Sequence, residues 1–210
     1  MNQPSSVRED PQSVPQVLTS DIEKITMQNW VRRLGRTARL TVYYQLIGAI
    51  HDKLSGDEVR LLFKNAASNE EFMQLLGSEV YGASFAHAVL LRLEESAQDI
   101  SVTNSFHGSL TIENILPKAM KDEYWIRRFG PDEHLRWLNR LGNLAMLSGS
   151  KNSRAQYYDF DRKKGIYNYA NQQVSFDLTK EVCAESEWNI SAIQKRHQRL
   201  LELAGATWSI

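Results

Sequence analysis

The residues able to take part in chemistry are few, and most lie in the second half of this 210-residue chain. Four polar runs stand out. They are Thr111-Ile112-Glu113-Asn114-Ile115-Leu116-Pro117, residues 141–148 with Asn143 behind Gly142, residues 151–156 with Asn152 and Arg154, and residues 159–164 ending in Lys163 and Lys164. Taken singly, each has an ordinary reading. Glu113 reads as a solvated strand carboxylate, Asn143 as a turn residue and Asn152 as a helix cap beside Ser153. The histidines offer little more. His51, His87 and His197 fall on amphipathic helices, and His134 falls on an exposed helix. His107 precedes Asn114 by an odd offset, which in an unbroken strand faces it the other way, and Gly108 interrupts that segment. Cys183 is the single cysteine, so no internal disulfide forms, and its helical setting makes it a small apolar filler. Trp125, Trp137, Trp188 and Trp208 read as core. Arg127, Arg128, Arg136 and Arg140 read as a solvated face.

The elements that must position these runs follow from periodicity. Residues 1–19 hold three of the five prolines with Ser and Gln, and read as a disordered tail. Apolar spacing predicts helices over about 20–34, 41–54, 57–66, 69–76 and 84–96, the second with Val42, Leu46, Ile47 and Ile50 on one face. Residues 20–99 are therefore read as a helical segment. The texture changes after Asp99. Residues 110–115 alternate as a strand that Pro117 stops, and residues 144–147 form a second short strand. Helical pieces are expected at 121–129, at 132–140, near Asn152 and from about 190 to 204. The fold class is thus α+β, mainly α, with the strands confined to residues 100–210.

Strand, connection, strand, helix is the outline of a ββα-metal nuclease hairpin. The quoted runs carry a more specific likeness. Their order and spacing over about a hundred residues, closed by Trp188, Arg196 and Trp208, resemble the HNH-like, His-Me finger nuclease domain of GmrSD-type restriction endonucleases. The stretch YGASFAHAVLLRLEE at 81–95 resembles the segment preceding that domain. The resemblance implies a ββα-metal domain wrapped by helices and metal-dependent hydrolysis of double-stranded DNA in defence against foreign DNA. It implies Glu113 and Asn152 as metal ligands, Asn143 as the brace of the hairpin, and Lys163 or Lys164 as a phosphate contact, with Arg154 a further DNA-contact candidate. Two oxygen ligands plus water suit one Mg²⁺ or Mn²⁺ better than zinc.

Asn114 departs from the pattern, because the family carries its catalytic histidine there. A carboxamide has no lone pair basic enough to take a proton near neutral pH, and loss of a general base costs ~10²–10⁴ in rate. Three accounts stay open: a degenerate copy, an introduced substitution, or a base supplied elsewhere. The rival function is a catalytically inactive DNA-binding or partner-binding module. The family's nucleotide-dependent, ParB-like domain is expected in another part or subunit.

Bulk properties set the remaining bounds. Net charge is zero, with Lys+Arg and Asp+Glu at 25 each, so composition alone carries no nucleic-acid signal. Residues 1–106 carry a net −3 and residues 107–210 a net +3. No apolar run reaches the ~20 residues of a membrane span, and no secretory signal pattern is present. A cytoplasmic protein with no membrane partner is the expectation.

Overall fold

The computed structural model describes residues 13–98, 109–168 and 176–210. They form a mainly helical α+β protein with one two-stranded antiparallel sheet. The chain divides into two compact units. One holds the residues up to Phe72 together with Trp208–Ile210, and the other holds Met73–Thr207. Residues 73–98, grouped with the preceding helices on sequence pattern, belong to the second unit.

The first unit is built on α1 (Ser13–Val31), α2 (Arg36–His51) and α3 (Gly56–Ala66). Helix α1 starts at Ser13, so residues 13–19 are helical and not part of a tail; residues 1–12 lie outside the described ones. Ile25, Leu46, Ala49, Val59 and Phe63 make the core. Ser55 stops the chain between α2 and α3 with a capping box. Its Oγ accepts from Glu58 N, and Glu58 Oε2 accepts from Ser55 N at 2.8 Å. The apolar face read for α2 is covered only in part. Leu46 and Ala49 are buried, whereas Ile47 and Ile50 are 61% and 56% exposed. Apolar residues therefore occupy both sides of this helix, and periodicity alone could not tell which side packs.

The second unit holds the sheet. After α4 (Asn69–Leu76), which spans the division, come α5 (Ala86–Ala97) and the hairpin strands β1 (Leu110–Asn114) and β2 (Leu144–Ser148). The strands pair in an unbroken register from Leu110 opposite Ser148 to Asn114 opposite Leu144. This is the hairpin that the sequence predicts. Between them the chain folds back through α6 (Glu123–Ile126) and α7 (Pro131–Leu138), which sink Trp125, Phe129 and Trp137 into the core. Helix α8 (Gly149–Ala155) follows β2 directly and completes strand–strand–helix. Then come α9 (Phe160–Tyr167), α10 (Asp177–Ala184) and α11 (Ile190–Trp208).

Polar groups lock the layers together. Glu94 of α5 is buried and caps α10, taking the backbone N–H of Asp177 and, at 3.1 Å, that of Leu178. Arg196 of α11 donates to the carbonyls of Leu141, Gly142 and Leu144 at 2.8–3.1 Å, just where the chain enters β2. His197 Nδ1 accepts from Gly142 N at 3.2 Å, which requires the neutral ring. Burial lowers its pKa and favours that form.

Gly142 has no room for a side chain. A Cβ there would stand 2.5 Å from Ile193 O and 2.7 Å from His197 Cβ. Gly142→Ala must push α11 off the entry to β2. Denaturant unfolding should show a loss of about 1–3 kcal/mol; an unchanged midpoint would mean that α11 yields freely.

Candidate active site

The hairpin presents its two faces to different surroundings. In the regular ladder, neighbouring side chains leave on opposite sides. Glu113 turns toward α9, where its Oε1 accepts from Lys163 Nζ at 2.5 Å and from Tyr167 Oη at 3.2 Å. Lys163 Nζ also donates to Asn114 O at 3.0 Å. Asn114 turns toward the end of α7, where its Nδ2 donates to Leu138 O at 2.7 Å. No bulge brings the two side chains together, although both residues border the same cleft.

That cleft has a volume of about 280 Å³ and also includes Ile112, Asn152, Lys118 and Tyr157 in its walls. Asn152 sits on α8 and reaches back to β1. Its Nδ2 donates to Thr111 Oγ1 and to Ile112 O, both at 3.0 Å. With its donors turned onto the strand, its oxygen is the atom left for other partners. Asn143 is fully buried and takes no part in the cleft wall. Its Oδ1 accepts from Leu116 N at 2.7 Å and from Trp188 Nε1 at 3.3 Å, while its Nδ2 donates to the carbonyls of Leu116 and Leu138 at 3.0 and 2.9 Å. It holds the hairpin and does not face a reacting group.

Lys163 departs from expectation. Lys163 is 0% exposed, so its ammonium cannot touch a phosphate directly; it serves as the internal counter-charge of Glu113. Burial raises the pKa of Glu113 and lowers that of Lys163, and their ion pair opposes both shifts. Tyr167, wholly enclosed, is pushed well above its ordinary value and remains a neutral donor. Lys164 is half-buried, bonded to Glu185 O at 3.2 Å and paired with Asp161 at 3.0 Å. Arg154 is exposed on α8. His107 lies outside the described residues.

Sequence reasoning missed other residues here. Lys118, one step past Pro117, is exposed at the cleft rim and donates to Tyr81 Oη at 3.0 Å. Lys121 lies 4.6 Å from the centroid of the Tyr157 ring. The only sequence signal for them was two lysines closely following the strand stop. His134 is half-buried, and its Nε2 meets Pro117 O at 2.8 Å, fixing the far end of the strand exit. Gln156, also at the cleft, has φ +38°, a conformation that costs a non-glycine residue of order 1–3 kcal/mol.

A family model described as GmrSD restriction endonucleases, C-terminal domain, matches residues 66–203. The match spans the whole hairpin, α8 and α9. The chain belongs to that family. No curated protein and no solved structure matches it. Membership in the GmrSD C-terminal family makes this a restriction nuclease domain and DNA its class of substrate. No helix among the described residues is long and apolar enough to cross a membrane.

The donors at the GmrSD cleft are all oxygens: the Glu113 carboxylate and the Asn114 and Asn152 amides. This chemistry fits a hard divalent cation rather than zinc. The fit is loose, because Glu113 already shares one oxygen with two donors. No group of three or more His, Cys, Asp or Glu side chains converges among the described residues.

The buried pair makes a sharp stability test. Lys163→Met strands the Glu113 carboxylate inside the protein and should cost about 3–5 kcal/mol. Adding Glu113→Leu should restore most of that loss, since no charge then remains buried. Guanidinium unfolding of the single and double variants measures both. A double variant as unstable as Lys163→Met would show that the pair's hydrogen bonds, not its charges, dominate.

Proposed function

We propose that this chain hydrolyses DNA phosphodiester bonds at the cleft between β1 and α8, with the water-activating position held by Asn114. The observation that supports this reading is the placement of Asn114 and Asn152 on one cleft, at the two positions the family resemblance assigns to water activation and cation binding. In this reading Asn152 and the free oxygen of Glu113 hold one Mg²⁺ or Mn²⁺, with water completing its shell. The cation, when bound, supplies charge stabilisation at the scissile phosphate. Lys118, at the rim, contacts the neighbouring phosphate in place of Lys163. Lys163 acts from inside, holding Glu113 and the Asn114 carbonyl in place. Tyr157 closes the cleft wall. Asn114 orients water by hydrogen bonding but removes no proton, so the proton of the attacking water passes to bulk solvent and the reaction is slow.

One observation favours a second reading, a nuclease-derived module that binds DNA or a partner without cutting. The Asn114 amide is tied to Leu138 O, as a structural residue would be. A nucleotide-dependent, ParB-like domain or subunit belongs to either reading on the resemblance alone.

Asn114→His separates them. An imidazole of ordinary pKa, ~6.5, is mostly free base at pH 7.5. Plasmid nicking with Mg²⁺ or Mn²⁺ should rise by ~10²–10⁴ over the parent chain. The gain should vanish in EDTA and in an Asn152→Ala background. Silence in a folded, Mn²⁺-binding Asn114→His protein would transfer the case to the non-cutting module.

A further inference from the structure

Residues 24–51 contain Lys24, Arg32, Arg33, Arg36 and Arg39 and no Asp or Glu. This is a basic stretch within the acidic half of the chain, and whole-half charge balance hides it. The structure divides its members by role. Arg32 is structural, bound to Glu71 Oε2 at 2.6 Å and to Ala66 O at 3.0 Å. Arg36 and Arg39 are exposed, and among the described residues neither has a carboxylate within ion-pair distance.

Both arginines line a cavity of about 350 Å³ between α1 and α2, together with Trp30, Tyr43, Thr26 and Leu40. Trp30 is 36% exposed there. The Tyr43 hydroxyl is 2.9 Å from Thr26 Oγ1, which fixes its ring between the two helices. The volume suits a small planar ligand group. Aromatic faces beside guanidinium groups are the equipment for one kind of ligand, a base stacked on an indole or phenol with its phosphates held by arginine. A duplex offers no unstacked base, so the concave, aromatic character of the cleft selects unpaired nucleotides.

We propose that the cleft between α1 and α2 binds an unpaired stretch of nucleic acid, stacking a base on Trp30 and Tyr43 and holding the flanking phosphates with Arg36 and Arg39. The inference rests on the reading that the chain acts on DNA, and adds a contact made by residues of the first unit. It gives the exposed arginines a purpose that the hairpin cleft does not require.

Fluorescence anisotropy on the full chain tests it, using a labelled single strand of roughly 15 nucleotides and a duplex of equal length. Arg36→Ala with Arg39→Ala should weaken single-strand binding at least tenfold and lower the salt slope by about 1.4, the share of two phosphate contacts. Trp30→Ala should weaken it about fivefold or more with the slope unchanged, and Trp30→Phe should recover most of the loss. Circular dichroism confirms that each variant is folded. Four results would overturn the proposal: no single-strand binding by the parent chain, binding indifferent to the arginines, equal losses on strand and duplex, or a change confined to self-association through Leu40, Tyr44 and Ile47. Placing the arginine variants in the Asn114→His protein keeps the two ideas apart. Nicking without arginine-dependent binding sinks this one alone, and arginine-dependent binding without nicking sinks the nuclease reading alone.

Discussion

The second unit depends on the carboxamide of Asn143. Its two N–H groups and its oxygen make four hydrogen bonds, which is the full capacity of the group. Those bonds join three stretches that are far apart in sequence: the exit of β1 at Leu116, the end of α7 at Leu138, and Trp188 before α11. A buried amide left partly unsatisfied would cost about 1–3 kcal/mol for each missing bond. An aspartate in its place would offer only acceptors to two carbonyls. The residue therefore sets the path by which the long connection between the strands returns, and β2 can meet β1 only along that path. Arg196 secures the same entry from the other side by satisfying three carbonyls with one nitrogen.

A charge pair enforces the register that this brace permits. Glu113 and Lys163 are both enclosed, and each would be costly to bury alone. A slip of one residue along β1 would turn Glu113 to the opposite face and leave Lys163 facing Ile112 or Asn114, neither of which carries a charge. The pair adds little net stability compared with apolar residues of similar size, but it penalises wrong pairings of the two strands found among the described residues. Tyr167 completes the arrangement as a neutral donor, held neutral by its own burial.

Much of this arrangement was legible in the sequence, and the remainder has identifiable causes. Alternation over residues 110–115 and the stop at Pro117 mark β1, and the tryptophans read as core are core, with Trp125, Trp188 and Trp208 at 0% exposure. Family likeness pointed to Asn143, whose geometry is that of a brace. The burial of Lys163 is not legible in the sequence because lysine is so seldom fully buried; its partner lies fifty residues earlier and no local pattern links them. The exposure of Ile47 and Ile50 has no sequence signal, because period shows which residues share a face, not how much of that face another helix covers. His197 reads in the sequence only as a histidine on an amphipathic helix, since its acceptor role exists only once Gly142 is beside it. The unit boundary falls at Phe72 and not near residue 99 because tertiary contacts, which leave no local signature, join α5 to α10.

The carbonyl of Leu138 accepts from two amides, Asn114 and Asn143. Loss of the Asn114 donor leaves that oxygen satisfied by the other, so the polar accounting of the hairpin does not depend on a donor at position 114. Residue 114 is in this sense a loosely tethered slot on a rigid mount. The hydrogen bonding of the scaffold is thus uncoupled from this one position, and the space around a buried side chain is what limits the residues it can hold.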